Sequence, residues 1–401
     1  MLTQRSSAIL AVNGGSSSIK FALFQGDTDL RRSLHGKIER IGLTCPTFMC
    51  NELNERRNII QPINVANYGD ATKFLLEWLD EQIGLKTISA IGHRIVHGMR
   101  HTAPAVVTQE LVDELRKIIP CDPQHLPFAI DLVEAFRVRC PHLQQVVCFD
   151  TGFHDTMPRV AKLLSLPRRF QLKGLQRYGF HGLSYEFLMQ ELVRLGDAAA
   201  TQGCVILAHL GNGASLAAVR KGKSIDTSMG FTAAAGLPMS TRAGDLDPGL
   251  VGYLARVEGM SLAEFDQMVN HESGLIGVSE LSSDMRDLIN LESSDIRAAE
   301  AVELFCYQAK KWIGAFVAAL GGLHTLVFTG GIGENAPSVR YQICEGLSCL
   351  GIEIDQARNK LNGDVISTAI SRVTVRVIRS DEEQVIAAKV QRMLETINAE
   401  S

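Results

Sequence analysis

Long apolar runs are missing from this chain of 401 residues, and none approaches the length of a membrane span. An excess of one charge is missing as well. Forty Lys and Arg stand against 44 Asp and Glu, a net charge of -4, which removes the electrostatic reason to expect nucleic acid or an anionic membrane as partner. No C-x-x-C pair occurs among the nine cysteines, an odd number, and several sit inside apolar runs. Reduced thiols in a cytoplasmic protein are the expectation, with a Cys45–Cys50 bridge the lesser reading. The first five residues lead into a strand pattern at Ala8 that Asn13 interrupts, which is not the pattern of a signal peptide. The glycine-rich segment at residues 329–335 is neither a Walker A loop nor a dinucleotide fingerprint.

What is there is the make-up of an ordinary globular protein, 46% apolar and 21% charged. The length exceeds what one core usually organises, so two domains are expected. Residues 8–12 and 19–24 are apolar runs joined by a Gly/Ser turn, a hairpin signal. The pattern returns later: Ile9-Leu10-Ala11 matches Ile206-Leu207-Ala208, and Gly14 and Ser18 match Gly211 and Ser215. A duplicated hairpin implies two similar domains, their turns facing across a cleft. Asp70 is expected to open a helix carrying Phe74, Leu75, Trp78 and Leu79 on one face, stopped by Gly84. Thr108 opens another, and residues 297–320 read as a long, mostly buried helix. Residues 325–329 and 373–378 read as strands, and Ser380-Asp381-Glu382-Glu383 as a capping box opening a last helix. Strands alternating with helices give an α/β fold. The domains are placed at 1–150, rejoined by the helix 381–401, and at 151–380.

Three glycine-rich turns bear on function. Asn13-Gly14-Gly15-Ser16-Ser17-Ser18-Ile19-Lys20 offers backbone N–H groups, hydroxyls and a lysine to a phosphate, although Gly/Ser turns are commonly structural. Gly211-Asn212-Gly213-Ala214-Ser215 carries less information alone. Thr329-Gly330-Gly331-Ile332-Gly333-Glu334-Asn335 is expected as a loop from strand to helix, with Pro337 in the helix's first turn, where a nucleotide can sit. Three such turns together point to a nucleotide site. His93 and His97 have the spacing of a zinc pair, but the strand-like surroundings argue against zinc. Arg94, inside an apolar stretch, needs a structural carboxylate or a substrate phosphate as partner. Arg242 lies beside Asp245 and Asp247 and reads equally as a loop clamp or as a functional arginine. Asp150 ends an apolar run, where α/β sites commonly lie. His181 sits between glycines and aromatics, a setting in which a histidine is more often structural. Glu382 has a plain reading in the dipole of its helix.

Together these segments resemble the acetate and propionate kinase family, within the sugar kinase, Hsp70 and actin superfamily. N-x-G-S-S-S-x-K, G-H-R-x-V-H-G, F-D-T-x-F-H, R-Y-G-F-H-G, H-L-G-N-G-A-S, T-R-x-G-D-x-D-P and G-I-G-E-N occur in the family order, from Asn13 onward over nearly the whole chain. The resemblance implies two ribonuclease-H-like domains with ATP in the cleft. It also implies reversible phosphoryl transfer from ATP to a short carboxylic acid, acetate ahead of propionate. Asn13, Ser16, Ser18 and Lys20 would then form the first phosphate turn, and His209, Gly211 and Asn212 the second. Arg94 and Arg242 would flank the transferring phosphoryl and the carboxylate, and His181 would hydrogen-bond the phosphoryl. Asp150 and Glu382 would organise magnesium and the arginines, with Asn13 at the metal and manganese able to replace it. Asp284, Arg286, Gly331 and Ile332 would contact the nucleoside. Val96, Phe180 and His125 belong to the acyl pocket, where Gln124 replaces a usual leucine and Ala233 a usual proline. Asp381 replaces a usual asparagine. A homodimer is also implied. Two rivals stand beside this reading: a sugar or polyol kinase of the same superfamily, and a nucleotide-binding protein without transferase activity.

Overall fold

The structure, a computed structural model, describes residues 8–15, 17–26, 29–53 and 57–400. The chain divides into two units, one of residues 1–152 with 381–401 and one of residues 153–380.

In the first unit, β1 (Ala8–Gly14) and β2 (Ser18–Gln25) form the expected hairpin, with Asn13 opposite Lys20. β3 (Arg31–Glu39), β4 (Thr47–Glu52) and β5 (Arg57–Pro62) extend it antiparallel. On the other side β6 (Ala90–Ile95) and β8 (Gln144–Phe149) add in parallel, and the two-residue β7 (Ala105–Val106) pairs antiparallel with β8 at the edge. Every residue of β1 is buried, which suits a strand covered on both faces. One face carries the helices Tyr68–Gln82 and Leu126–Arg139 over a core that includes Phe21, Phe48, Trp78 and Phe136. Against β1 and β6 packs the helix Glu382–Glu400.

The second unit is built on β9 (Cys204–Leu210), β10 (Ala214–Arg220), β11 (Lys223–Thr227), β12 (Thr325–Thr329) and β13 (Thr374–Val377), in the order β11-β10-β9-β12-β13. The first three are antiparallel neighbours, and β12 and β13 run parallel to β9. Counted by succession, the order is 3-2-1-4-5. The central strands β3-β2-β1-β6-β8 of the first unit have the same order and directions. The duplication read from one hairpin therefore extends to a five-stranded sheet. Helix Gly182–Arg194 packs on this sheet through Tyr185, Leu188 and Leu192, and helix Ile296–Leu320 packs on β9 and β10.

Several boundaries differ from expectation. The first helix begins at Tyr68, because Asn67 caps it by accepting from the Asp70 N–H. The last helix is capped by Asp381, which accepts from Gln384 N at 3.0 Å, rather than by Ser380 in a capping box. The long helix starts at Ile296 and buries one face instead of most of its surface. Gly330–Asn335 is itself a short helix and not a loop, since the Glu334 carboxylate turns back to accept from Gly330 N at 3.0 Å. All nine cysteines are free, Cys45 and Cys50 included.

Gly92, on β6, lies directly against the last helix. A Cβ there would stand 2.3 Å from Ile386 Cγ2 and 2.7 Å from Val390 Cγ2. Gly92→Ala should therefore push the helix off its seat and lower stability by about 1–3 kcal/mol, read as an earlier urea midpoint. An unchanged midpoint would mean that this close packing is not made.

Candidate active site

The first unit gathers a charged cluster at the end of its hairpin. β1 carries Asn13 next to its last residue, β6 carries Arg94, β8 runs into Asp150, and the last helix opens with Glu382. Arg94 Nε and Nη2 donate to Asp150 Oδ2 at 3.0 and 2.5 Å, and Arg94 Nη1 donates to Asn13 Oδ1 at 3.0 Å. Asn13 Nδ2 donates to Glu382 Oε2 at 2.8 Å and to Glu383 Oε1 at 3.3 Å. The asparagine thus bridges a guanidinium and two carboxylates. Asp150 is fully buried. Burial works against the charge of Arg94, but Asp150 first, then Glu382 and Glu383, outweigh it and drive its pKa up. Burial pushes the Glu383 carboxyl above its usual range, Glu382 adds to the shift, and Lys20 opposes it. Lys20 itself is exposed, and Ser18 begins β2. Ser16 lies outside the described residues. Val96 is buried just after β6. Gln124 and His125 are half-buried ahead of the helix Leu126–Arg139, and His125 Nδ1 meets Asp122 Oδ1 at 2.8 Å.

In the second unit the focus is the turn between β9 and β10. His181 stands in the left-handed region at φ 58°, directly before the helix Gly182–Arg194. Its ring stacks on that of His209 at 4.2 Å between centroids. Seen from Gly213, a Cβ would lie 3.3 Å from His181 Nε2 and 3.5 Å from Arg242 Nη2, so an imidazole nitrogen and a guanidinium both border the bare glycine. Arg242 Nη1 donates to the carbonyl of Ala233 at 2.8 Å, which fixes the arm. The Asn212 carbonyl accepts from Ser240 N at 3.2 Å and ties the turn to the arginine's loop. Asp245 and Asp247 accept from the backbone of Gly236 and Gly249, so each holds a turn of its own.

The third glycine segment joins this group. Gly330 at φ 79° faces the Leu210 carbonyl, which a Cβ would meet at 2.6 Å, so only glycine fits. A Cβ on Gly211 would come within 3.8 Å of Gly331 N, so the two turns are neighbours at the ends of β9 and β12. Gly331 is exposed and Ile332 half-buried. Asp284 caps the helix Met285–Leu291 and holds Arg286, with Nη2 to Oδ2 at 2.5 Å. Phe180 is buried, and its carbonyl meets His154 Nε2 at 3.0 Å. His154 Nδ1 meets Ser224 Oγ at 2.9 Å. His93 is likewise buried and meets the Gln145 side chain.

Sequence reasoning passed over Glu383, read only as part of a cap, and passed over His154, Tyr185 and Ser215. Tyr185 lies four residues after His181, but His181 stands before the helix in the left-handed region, so helical spacing gives no signal for the pair. Ser215 was visible as the counterpart of Ser18 without being given a task.

Comparison with known proteins adds to this geometry. The profile described as the Acetokinase family matches residues 8–388. An acetate kinase of Methylocella silvestris is 41% identical over 407 residues, covering 98% of this chain and 100% of that one. The crystal structure of Porphyromonas gingivalis acetate kinase is 34% identical and has a TM-score of 0.85, covering 97% of this chain and 100% of its own. That of a propionate kinase from Francisella tularensis is 34% identical with a TM-score of 0.88, covering 96% and 98%.

Burial lowers the pKa of His93 and of His154 from about 6.5 to about 4. Both are neutral in the fold, while in the unfolded chain they gain a proton below about 6.5. Stability should therefore fall as pH drops from about 6.5 toward about 4, by up to about 1.4 kcal/mol per pH unit for each histidine. His154→Gln should flatten the change in urea midpoint between pH 7 and pH 5. An equal slope in the variant would remove His154 from this account.

Proposed function

Since the chain belongs to the acetokinase family, we propose that it moves the terminal phosphoryl group of ATP reversibly onto acetate, giving acetyl phosphate and ADP. The observation that carries the choice of acceptor is the state of Asp150. A hydroxyl acceptor, as in a sugar kinase, calls for a carboxylate free to take a proton, whereas Asp150 Oδ2 receives two N–H groups from Arg94. A carboxylate acceptor is already ionised at neutral pH and needs no base. Its difficulty is the approach of two anions, which positive charge and positioning relieve.

Arg94 and Arg242 offset that repulsion, and the Nε2 side of His181 serves the phosphoryl oxygens. The turns at Asn13, Ser16, Ser18 and Lys20 and at His209, Gly211 and Asn212 cradle phosphates. Asp284, Arg286, Gly331 and Ile332 contact the nucleoside. Among the described residues no three His, Cys, Asp or Glu side chains form a metal cluster. Magnesium, or manganese in its place, would be carried in with ATP, since Mg²⁺ is commonly held by one or two carboxylates plus substrate phosphates. Glu382 is the carboxylate for it, while Asn13 Oδ1 already accepts from Arg94. Bound there, the ion would neutralise phosphate charge. A homodimer in the cytoplasm completes the reading. Among the described residues no helix is long and apolar enough to cross a membrane.

Val96 and Phe180 supply apolar surface to the acyl group, and Gln124 and Ala233 set its length and polarity. The likeness to a propionate kinase, together with the small side chain at Ala233, favours propionate as the second reading.

A hydroxamate assay with ATP and Mg²⁺ over formate, acetate, propionate, butyrate and glycolate tests this. Acetate should give the highest kcat/KM. Turnover of glycerol with none of any acid would reverse the class. Arg242→Ala should lower kcat by about two orders of magnitude, near 3 kcal/mol, with less effect on ATP binding. Gln124→Leu should shift preference from glycolate toward the alkyl acids; an unchanged ranking would take Gln124 out of the pocket.

A further inference from the structure

The proposed reaction asks for something of His181 that its neighbours supply. A phosphoryl group in transfer offers only acceptor oxygens, so the ring nitrogen that faces it must carry hydrogen. A neutral imidazole has one N–H, and which nitrogen carries it is set by the bond the other makes. Nε2 is the nitrogen bordering Gly213 beside Arg242. Nδ1 lies 2.9 Å from Ser215 Oγ. Ser215 is fully buried on β10, and its Oγ also meets the hydroxyl of the fully buried Tyr185.

Ser215 has one hydroxyl hydrogen, and with that hydrogen kept inside this buried chain of bonds the chain can run in two directions. In one, His181 Nδ1–H donates to Ser215, Ser215 donates to Tyr185, and Nε2 is left bare. In the other, Tyr185 donates to Ser215, Ser215 donates to Nδ1, and Nε2 keeps the hydrogen. A phenol is a better donor and a poorer acceptor than an aliphatic alcohol, because its oxygen lone pair is delocalised into the ring. That favours the second direction.

We propose that Ser215 and Tyr185 are positioning residues which hold His181 as its Nε2–H tautomer and aim that N–H at the transferring phosphoryl. The inference rests on the carboxylate-kinase reading. Three further contacts keep the ring from turning. His209 stacks on it, Ser184 Oγ holds His209 Nδ1 at 2.8 Å, and His154 meets the carbonyl of the preceding residue, Phe180.

The test is ¹⁵N NMR of the full-length protein labelled at histidine, with the His181→Asn spectrum used to assign the ring. At pH 7.5 the wild type should show a bare Nδ1 and a protonated Nε2. Ser215→Ala, nearly isosteric, should admit the Nδ1–H form and lower kcat by about 10- to 100-fold. KM for ATP and for the acid should stay within about twofold. Tyr185→Phe should act in the same direction more weakly, and Ser215→Thr should restore most of the turnover. Hydrogen on Nδ1 in the wild type, or an unchanged kcat in Ser215→Ala, would overturn the proposal. Absence of acyl phosphate formation by the wild type would overturn the kinase reading instead, and the tautomer would still be read from the spectrum.

Discussion

A guanidinium on a central β-strand is tolerated only where anions meet it, and the arrangement around Arg94 follows from that requirement. Its immediate counterion, Asp150, is fully buried and stands at the end of the neighbouring parallel strand. Taking away one member of such a pair strands the other charge, a cost of about 3–5 kcal/mol. The Asp150 carboxylate is therefore committed to holding the arginine, and a committed carboxylate makes a poor general base. Asn13 receives a further Arg94 N–H and passes its own amide hydrogens to Glu382 and Glu383. Position and charge thus come from one network, and both suit an acceptor that arrives already ionised.

The duplicated sheet explains why such groups can be placed twice. In a 3-2-1-4-5 order the first strand is central, and both the hairpin turn and the ends of the parallel strands open at the same side. In the first unit that side holds Asn13, Arg94 and Asp150. In the second it holds the turn at Gly211 to Gly213 and Gly330 to Gly331 after β12. The duplicated positions have diverged in task. Where the first hairpin has Asn13 bridging charges one residue from the end of β1, the second has His209 stacked on His181 one residue from the end of β9.

How much of this was legible in the sequence depended on range. The hairpins, the parallel strands and the α/β class follow from apolar runs and turn residues that lie next to one another. The need of Arg94 for an anion was legible, and of the two partners open to it the structure shows the carboxylate. Exact caps were not legible: Asn67 and Asp381 do the capping because their side chains reach the third N–H beyond them, and Asp70 and Ser380 were equally plausible by composition. The helix Gly330–Asn335 ran against propensity, since glycine disfavours helix; the Glu334 carboxylate, bound to Gly330 N and Thr329 Oγ1, overrides it. β3, β4 and β5 also escaped notice, because β5 is an exposed edge strand and the half-buried β3 and β4 carry a mixed pattern rather than an apolar run. Ser215 and Tyr185 are joined to His181 only by tertiary structure, so no local pattern announces their shared hydrogen bonds.

The same reasoning bears on Asp381, the residue that departs from the family's asparagine. Asp381, Glu382 and Glu383 place three acidic side chains in a row, and each raises the cost of charging the next. Three features offset that cost. The residues cap and open a helix, whose N-terminal dipole favours negative charge. Lys20 and Arg94 bear on Glu383 and Glu382 from the hairpin and β6. Asp381 makes an ion pair with Arg32 on β3, whose guanidinium also lies over the Phe24 ring. Asp381 thus spends its extra charge on Arg32 while keeping the capping bond to Gln384 that an asparagine would also make. Exchanging asparagine for aspartate here alters what the helix is tied to, since only the carboxylate can form the ion pair with Arg32.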